Sequence, residues 1–268
     1  MEENMVKVKK LFQYYGGKYF LIPDIIKEMA NCMRTNEINC IVDVFGGSAQ
    51  VILSVPQEWK VNRVYNDIDS RLFKVLKVLQ DKNKRDEVID FLSWSLRSRE
   101  EFNEFKNCNF DDLDDVETAK RYLYLTATCF NGDLGSFGVF RNSNEDKFRE
   151  IINLITKNAG YLQKYLTIEN LDFRELIKKY ADAHTLFYLD PPYLKAGKKY
   201  KYSFDINDFK DLKSCLDSAG SKWLMNESEV DFPQIKEIFG EPAYVKSYLN
   251  TVIITKKSRR FEGFWRNY

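Results

Sequence analysis

A single histidine, His184, stands in the 268 residues, and the five cysteines, Cys32, Cys40, Cys108, Cys129 and Cys215, are scattered without a CxxC pair. A multi-histidine metal centre is excluded for want of ligands, and neither a zinc site nor a disulfide framework is expected. No metal is assigned. Net charge is scarce too: 41 Lys and Arg against 40 Asp and Glu leave +1, so any nucleic-acid footprint must come from local patches. No apolar run approaches the roughly 18 to 20 residues of a membrane helix, and Met1-Glu2-Glu3-Asn4 lacks the charged-then-apolar opening of a secretory signal. A cytoplasmic protein without membrane association is expected. No internal repeat or low-complexity linker divides the chain. What is present, 44% hydrophobic and 30% charged residues, suits a soluble globular protein with a substantial core, either one large α/β domain or a core carrying an insertion.

The most informative stretch is Leu189-Asp190-Pro191-Pro192-Tyr193, which closes the apolar run Thr185-Leu186-Phe187-Tyr188. The run is rich in strand formers, and a proline pair cannot donate to a sheet ladder, so Asp190 should sit at a strand's carboxyl end. Ligands of open α/β sheets gather there. The stretch offers a carboxylate, a backbone carbonyl at Pro191, a hydrogen-free nitrogen at Pro192 and the flat ring of Tyr193. Two acceptors beside a stacking platform suit an exocyclic amine on a planar base, whose lone pair would turn outward for attack. A strand end with a rigid turn is the plainer alternative.

Earlier, Tyr14-Tyr15-Gly16-Gly17-Lys18 precedes the helical spacing Phe20, Ile22, Ile25, Ile26 and Met29. Glycines ahead of a helix allow close approach of backbone to a ligand, and Lys18 adds a cation; a turn with a solvated lysine is the alternative. Cys40 to Phe45 reads as a buried strand, Gly46-Gly47-Ser48-Ala49 as a tight turn and Gln50 to Ser54 as a helix start. About twenty residues on, the strand Arg63 to Asn66 ends at Asp67, where a ribose-binding carboxylate belongs in a nucleotide-binding unit. An adenosine-containing ligand is expected, smaller than a dinucleotide because the spacing departs from GxGxxG. A structural strand-turn-helix with an exposed aspartate is the other reading.

From Arg71 to Tyr165 apolar positions recur at three and four residues, as in Val116, Ala119, Tyr122 and Leu123, so the region reads as mainly helical. Phe130-Asn131-Gly132 through Arg141-Asn142 reads as a glycine-rich hairpin or loop. Strands are expected at Tyr165 to Ile168, Lys222 to Asn226, Tyr244 to Tyr248 and Thr251 to Thr255. Lys198, Lys199 and Lys201 interleave with tyrosines, which suits phosphates and unstacked bases or else a charged lid. Lys256 to Arg260 is a second basic cluster, followed by an aromatic tail from Phe261 to Trp265.

In this order, Gly16-Gly17-Lys18, Asp43 to Ala49, Asn66-Asp67, Phe130-Asn131-Gly132, Asp172-Phe173 and Asp190-Pro191-Pro192-Tyr193 resemble the Dam-type (D12 class) DNA adenine-N6 methyltransferases over nearly the whole chain. The resemblance implies a Rossmann-like S-adenosylmethionine-dependent methyltransferase fold: a mixed sheet with helices on both faces. Residues 1–70 and 166–268 would form the catalytic domain, and residues 71–165 an inserted, mainly helical target-recognition domain. It implies cofactor contacts at Tyr14, Gly17, Lys18, Asp43, Phe45, Gly46, Gly47, Ser48, Asp67, Asp172, Phe173 and Asp190, and catalytic roles for Asp190, Pro191, Pro192 and Tyr193. The implied partner is double-stranded DNA, with Asn131, Gly132, Arg141, Lys198, Lys199 and Lys201 as candidate contacts. A bacterial or phage-encoded enzyme, a monomer or weak dimer, is expected. Two departures stand out: alanine at Ala49 replaces the last glycine of the family's usual turn, and Tyr14 replaces a common tryptophan. Cytosine-N4 or RNA-adenine methylation, and DNA binding without turnover, are the alternatives.

Overall fold

The computed structural model describes residues 9–14, 16–130, 132–138, 146–194, 204–250 and 258–268. Its strands, in chain order, are Cys40–Asp43 (β1), Asn62–Asn66 (β2), Leu166–Glu169 (β3), Thr185–Leu189 (β4), Lys222–Ser228 (β5), Tyr244–Asn250 (β6) and Ser258–Arg266 (β7). They form a seven-stranded sheet of order β3-β2-β1-β4-β5-β7-β6. β3 through β5 pair in parallel, whereas β7 runs antiparallel to both β5 and β6. The order reverses between β1 and β4, which opens a crevice at their carboxyl ends, where ligands of doubly wound sheets bind.

Both central strands are buried along their whole length, as expected of parallel strands covered on two faces. Alternate side chains serve opposite layers. Ile41, Leu186 and Tyr188 join one core cluster, while Val42, Phe187 and Leu189 join the other. The first layer contains α1 (Ile22–Thr35), α2 (Gln50–Ser54) and α3 (Ser70–Gln80); the second contains α8 (Phe173–Tyr180), α9 (Ile206–Ala219) and α10 (Phe232–Phe239). Each fully buried aliphatic side chain contributes about 1.5 to 3 kcal/mol, so the strand ends that carry the site are anchored from both sides. The sheet with helices on both faces is the fold the sequence predicts.

Between β2 and β3 the chain also forms α4 (Lys82–Trp94), α5 (Arg99–Asn107), α6 (Asp115–Thr128) and α7 (Lys147–Tyr165). Asp114 caps α6 by accepting from the Glu117 N–H at 2.8 Å, the role in which short acidic runs satisfy a helix's free amides. Side chains from these helices share the first core cluster with α1 and the sheet. After α6 the chain folds back through an antiparallel bridge between Cys129 and Phe137, with Gly132 buried at φ 73°.

The C-terminal segment folds differently from the sequence expectation. Ser258 to Trp265 is no basic cluster with a trailing tail but belongs to β7, inserted between β5 and β6. Phe264 joins the first core cluster and Trp265 the second, the two-sided alternation of an interior strand. The arginines hid that pattern because Arg259 and Arg260 sit exposed at its end. The strand expected at Thr251 to Thr255 lies outside the described residues.

Candidate functional site

Three carboxylates converge at the carboxyl ends of the central strands: Asp43 closes β1, Asp67 follows β2 and Asp190 follows β4. All three line one cleft of about 810 Å³, open solvent at its mouth included, together with Tyr14, Gly17, Lys18, Phe45, Gly46, Gly47, Ser48 and Pro192. The turn after β1 is built for close approach. Gly47 adopts φ 50°, and a Cβ there would stand 3.0 Å from the Tyr14 ring. At Gly46 a Cβ would lie 2.3 Å from the ring of Tyr65, which is buried and donates to the Gly47 carbonyl at 2.8 Å. The next turn residue, Ala49, takes φ 60°, the left-handed conformation that glycine adopts freely. The turn therefore closes without the glycine, at a cost of about 1 to 2 kcal/mol.

Asp67 is bound to this turn. One oxygen accepts from Gly47 N–H at 2.8 Å and the other from Asp69 N–H at 2.8 Å, while burial pushes its carboxyl up to about 6. Asp43 is buried, one of its oxygens has no hydrogen-bond partner, and burial followed by the nearby Asp190 charge raises its pKa well above the usual carboxylate range. A buried acceptor of this kind calls for a donor from a ligand.

Lys18 reaches across from the glycine turn ahead of α1. Its ammonium lies 3.0 Å from Asp190, 3.9 Å from Glu262 and 4.5 Å from the centroid of the Tyr193 ring, and it donates to the Tyr193 phenol. Burial works against the charge of Lys18, but Asp190, then Tyr193 and Glu262, outweigh it and hold the pKa well above the ordinary lysine value. Burial pushes Asp190 up to about 6, the Lys18 cation opposing it and Glu262 adding to it. Lys18 is thus firmly protonated, while Asp190 and the buried Glu227 hold protons more tightly than usual, chiefly through burial.

The sequence did not single out the groups behind this pair. Asn226, on β5, donates to Asp190 at 3.5 Å and accepts from the Tyr188 phenol. Glu262, on β7, accepts from the phenols of Tyr193 at 3.2 Å and Tyr248 at 3.3 Å. Both are buried polar residues on interior strands, and Asn226 and Glu227 after Trp223-Leu224-Met225 were the legible signal: polar side chains at the carboxyl end of an apolar run.

A second cleft adjoins the first, and Lys18 lines both. Its other walls include Tyr193, Tyr248, Tyr19, Phe20 and Arg260. Pro191 is buried beside it in sequence. Asp172 and Phe173 are placed differently from the rest of the expected cofactor set and do not line the first cleft. Asp172 caps α8 through Arg174 N–H at 2.9 Å and pairs with the Arg174 guanidinium at 3.2 Å, while Phe173 packs against Phe45 at 5.9 Å between centroids. Gly132 belongs to the loop after α6, away from both clefts' walls; Asn131, Arg141, Lys198, Lys199 and Lys201 lie outside the described residues. Among the described residues no three His, Cys, Asp or Glu side chains are grouped to hold a metal ion, and no helix is long and apolar enough to cross a membrane.

Strand order and a carboxylate-lined crevice at the switch point define an open α/β protein whose ligand site lies at the carboxyl ends of the central strands. The model of the D12 class N6 adenine-specific DNA methyltransferases matches residues 14–256, so the chain belongs to that family and methylates DNA adenine. It is 28% identical over 257 residues to the type II methyltransferase M.MjaIII of Methanocaldococcus jannaschii, covering 85% of this chain and 87% of the relative. It is 25% identical over 239 residues to the type II methyltransferase M.CviBI of Paramecium bursaria Chlorella virus NC1A, covering 87% and 86%. A solved Escherichia coli structure, yhhF, aligns over 91% of this chain and 87% of its own with TM-score 0.37 and 8% identity.

Proposed function

We propose that this protein transfers the methyl group of S-adenosylmethionine to N6 of an adenine flipped out of double-stranded DNA at a specific site, in a restriction-modification setting like that implied by its relatives' names. The observation that carries the reading is the meeting of two clefts at Lys18 and the Asp190 to Tyr193 motif. The first cleft fits the cofactor. Its positive-φ glycine turn lets backbone approach closely, Asp67, held by the Gly47 amide, would accept from ribose hydroxyls, and Asp43 has a buried carboxylate oxygen without a partner. S-adenosylmethionine supplies an electrophilic sulfonium methyl.

The chain's own residues prepare the acceptor. An amine inside the base stack is out of reach, so the adenine must leave it, at a few kcal/mol; stacking on Tyr193 returns about 1 to 3 kcal/mol. Asp190 and the Pro191 carbonyl accept the two N6 hydrogens, which aims the nitrogen lone pair at the first cleft. Pro192 has no N–H to compete for that position. Lys18 keeps Asp190 ionised and holds the Tyr193 ring from one face, so the chemistry depends on positioning rather than a covalent intermediate. Residues 71–165 would carry target recognition as an inserted helical unit, with base contacts setting the sequence read. Ala49 takes the left-handed conformation of the turn, which supports cofactor binding without the last glycine.

Radiolabelled methyl transfer onto unmodified duplex DNA, followed by nucleoside analysis, tests this directly. N6-methyladenine is expected at one recurring sequence. N4-methylcytosine, label in RNA alone, or no transfer at all would overturn it.

A further inference from the structure

Four aromatic rings run from the acceptor motif to the surface. Tyr193 and Tyr248 share the same Glu262 oxygen, at 3.2 and 3.3 Å. Tyr248 stacks on Phe20, with centroids 6.5 Å apart and planes 21° from parallel, and Phe20 meets Tyr19 edge-on at 5.5 Å. All four line the second cleft, whose rim carries the exposed guanidinium of Arg260. Tyr19 and Phe20 are 52% and 60% exposed, so core packing does not account for them. Tyr248, by contrast, is half-buried and hydrogen-bonded to buried Glu262, which makes the inner end of the row rigid.

We propose that Phe20, Tyr19 and Tyr248 form a stacking platform for the nucleotide next to the flipped adenine on the same DNA strand, with Arg260 facing its phosphate. The proposal rests on the reading that Tyr193 receives that adenine. Once a base leaves the helix, its neighbour loses one stacking partner, and an aromatic face beside the acceptor cleft replaces it. Aromatic rings accept any base, whereas a guanidinium at the rim answers the backbone charge. The platform is continuous with the site through Tyr193, Lys18 and Glu262, so it adjoins the cleft that would receive the adenine.

The test uses a duplex containing the site that the enzyme methylates, mapped first on plasmid DNA, in three forms: intact, and abasic on either side of the target adenine. Phe20→Ala should weaken binding of intact DNA by about 5- to 100-fold, the equivalent of one lost stack. On one of the two abasic duplexes wild type and Phe20→Ala should bind alike, because the base that stacks is gone, and Phe20→Trp should restore tight binding to intact DNA. Unchanged affinity of Phe20→Ala, or an equal loss on all three duplexes, overturns the platform. So does a shift from dimer to monomer in sedimentation with DNA binding unchanged, which would make the rings a protein contact. 2-Aminopurine at the target position monitors the underlying reading separately. A rise in its fluorescence with wild type shows flipping, so a Phe20→Ala failure then counts against the platform alone; no rise overturns both.

Discussion

Lys18 Nζ lies 3.0 Å from Asp190 Oδ1 at the junction of the two clefts, joining the glycine turn before α1 to the strand end that carries the acceptor motif. Lys18 also lies 3.9 Å from buried Glu262. Its removal strands like charges in a dry place, and breaking a buried pair costs about 3 to 5 kcal/mol. Lys18→Met should therefore lose on that order of stability by urea denaturation at pH 8. The loss should shrink at pH 5, where the carboxyl groups can take up protons. A loss independent of pH would show that Lys18 contributes packing alone.

Asp190 predicts opposite pH dependences for activity and stability. With its carboxyl pushed up to about 6, chiefly by burial, the hydrogen-accepting anion disappears as pH falls through 6, so kcat/KM for DNA should drop on that limb. The folded protein binds this proton more tightly than the unfolded chain does. The group's stabilising contribution is thus complete below its ordinary pKa and lost as pH rises to about 6. The difference in unfolding free energy between wild type and Asp190→Asn should move against wild type across that window. Asp67 shares the upward shift, so the cofactor dissociation constant must be measured at each pH to separate the two groups.

The two aspartates implied by the family resemblance separate by placement. Asp67→Asn should weaken S-adenosylmethionine binding at least tenfold, because it alters both a cleft wall and the anchor of Gly47. Asp172→Asn should leave affinity within about twofold and cost at most about 1 kcal/mol, as for an exposed ion pair or a weakened cap. Calorimetric titration of both variants decides the matter; comparable losses would place Asp172 in the cofactor site.

Gly46→Ala should destabilise the protein by about 1 to 3 kcal/mol, the range for forcing a methyl into a packed interior. The obstructing ring of Tyr65 is fully buried and tethered by its hydroxyl to Gly47, so it has little room to yield. Denaturant unfolding measures the cost, and an unaffected midpoint would show that Tyr65 moves aside.

Local chemistry made much of the candidate site legible. β1, its turn, the start of α2 and β4 announced themselves because apolar runs, glycine pairs and a proline pair each restrict the backbone over a few residues. Glu262 gave no such signal. It stands in Arg259-Arg260-Phe261-Glu262, which resembles a charged surface in composition, and only its pairing between β5 and β6 buries it under Tyr193. Asp172 differs in another way: its place beside Phe173 matches the pattern of the resemblance, and in the fold its carboxylate caps α8 and pairs with Arg174.

By itself, then, the sequence determined the sheet's central strands, the order of the motifs and the place of Asp190 to Tyr193 at a strand's carboxyl end, all properties of contiguous residues. The tertiary structure decided which charges face one another. Lys18, Asp190, Asn226, Glu262 and Tyr248 come from five separate segments, and their mutual distances exist only once β7 has inserted antiparallel beside β5. Spacing along the chain carries no information about such contacts, because strand order, rather than sequence separation, sets which side chains share a buried space.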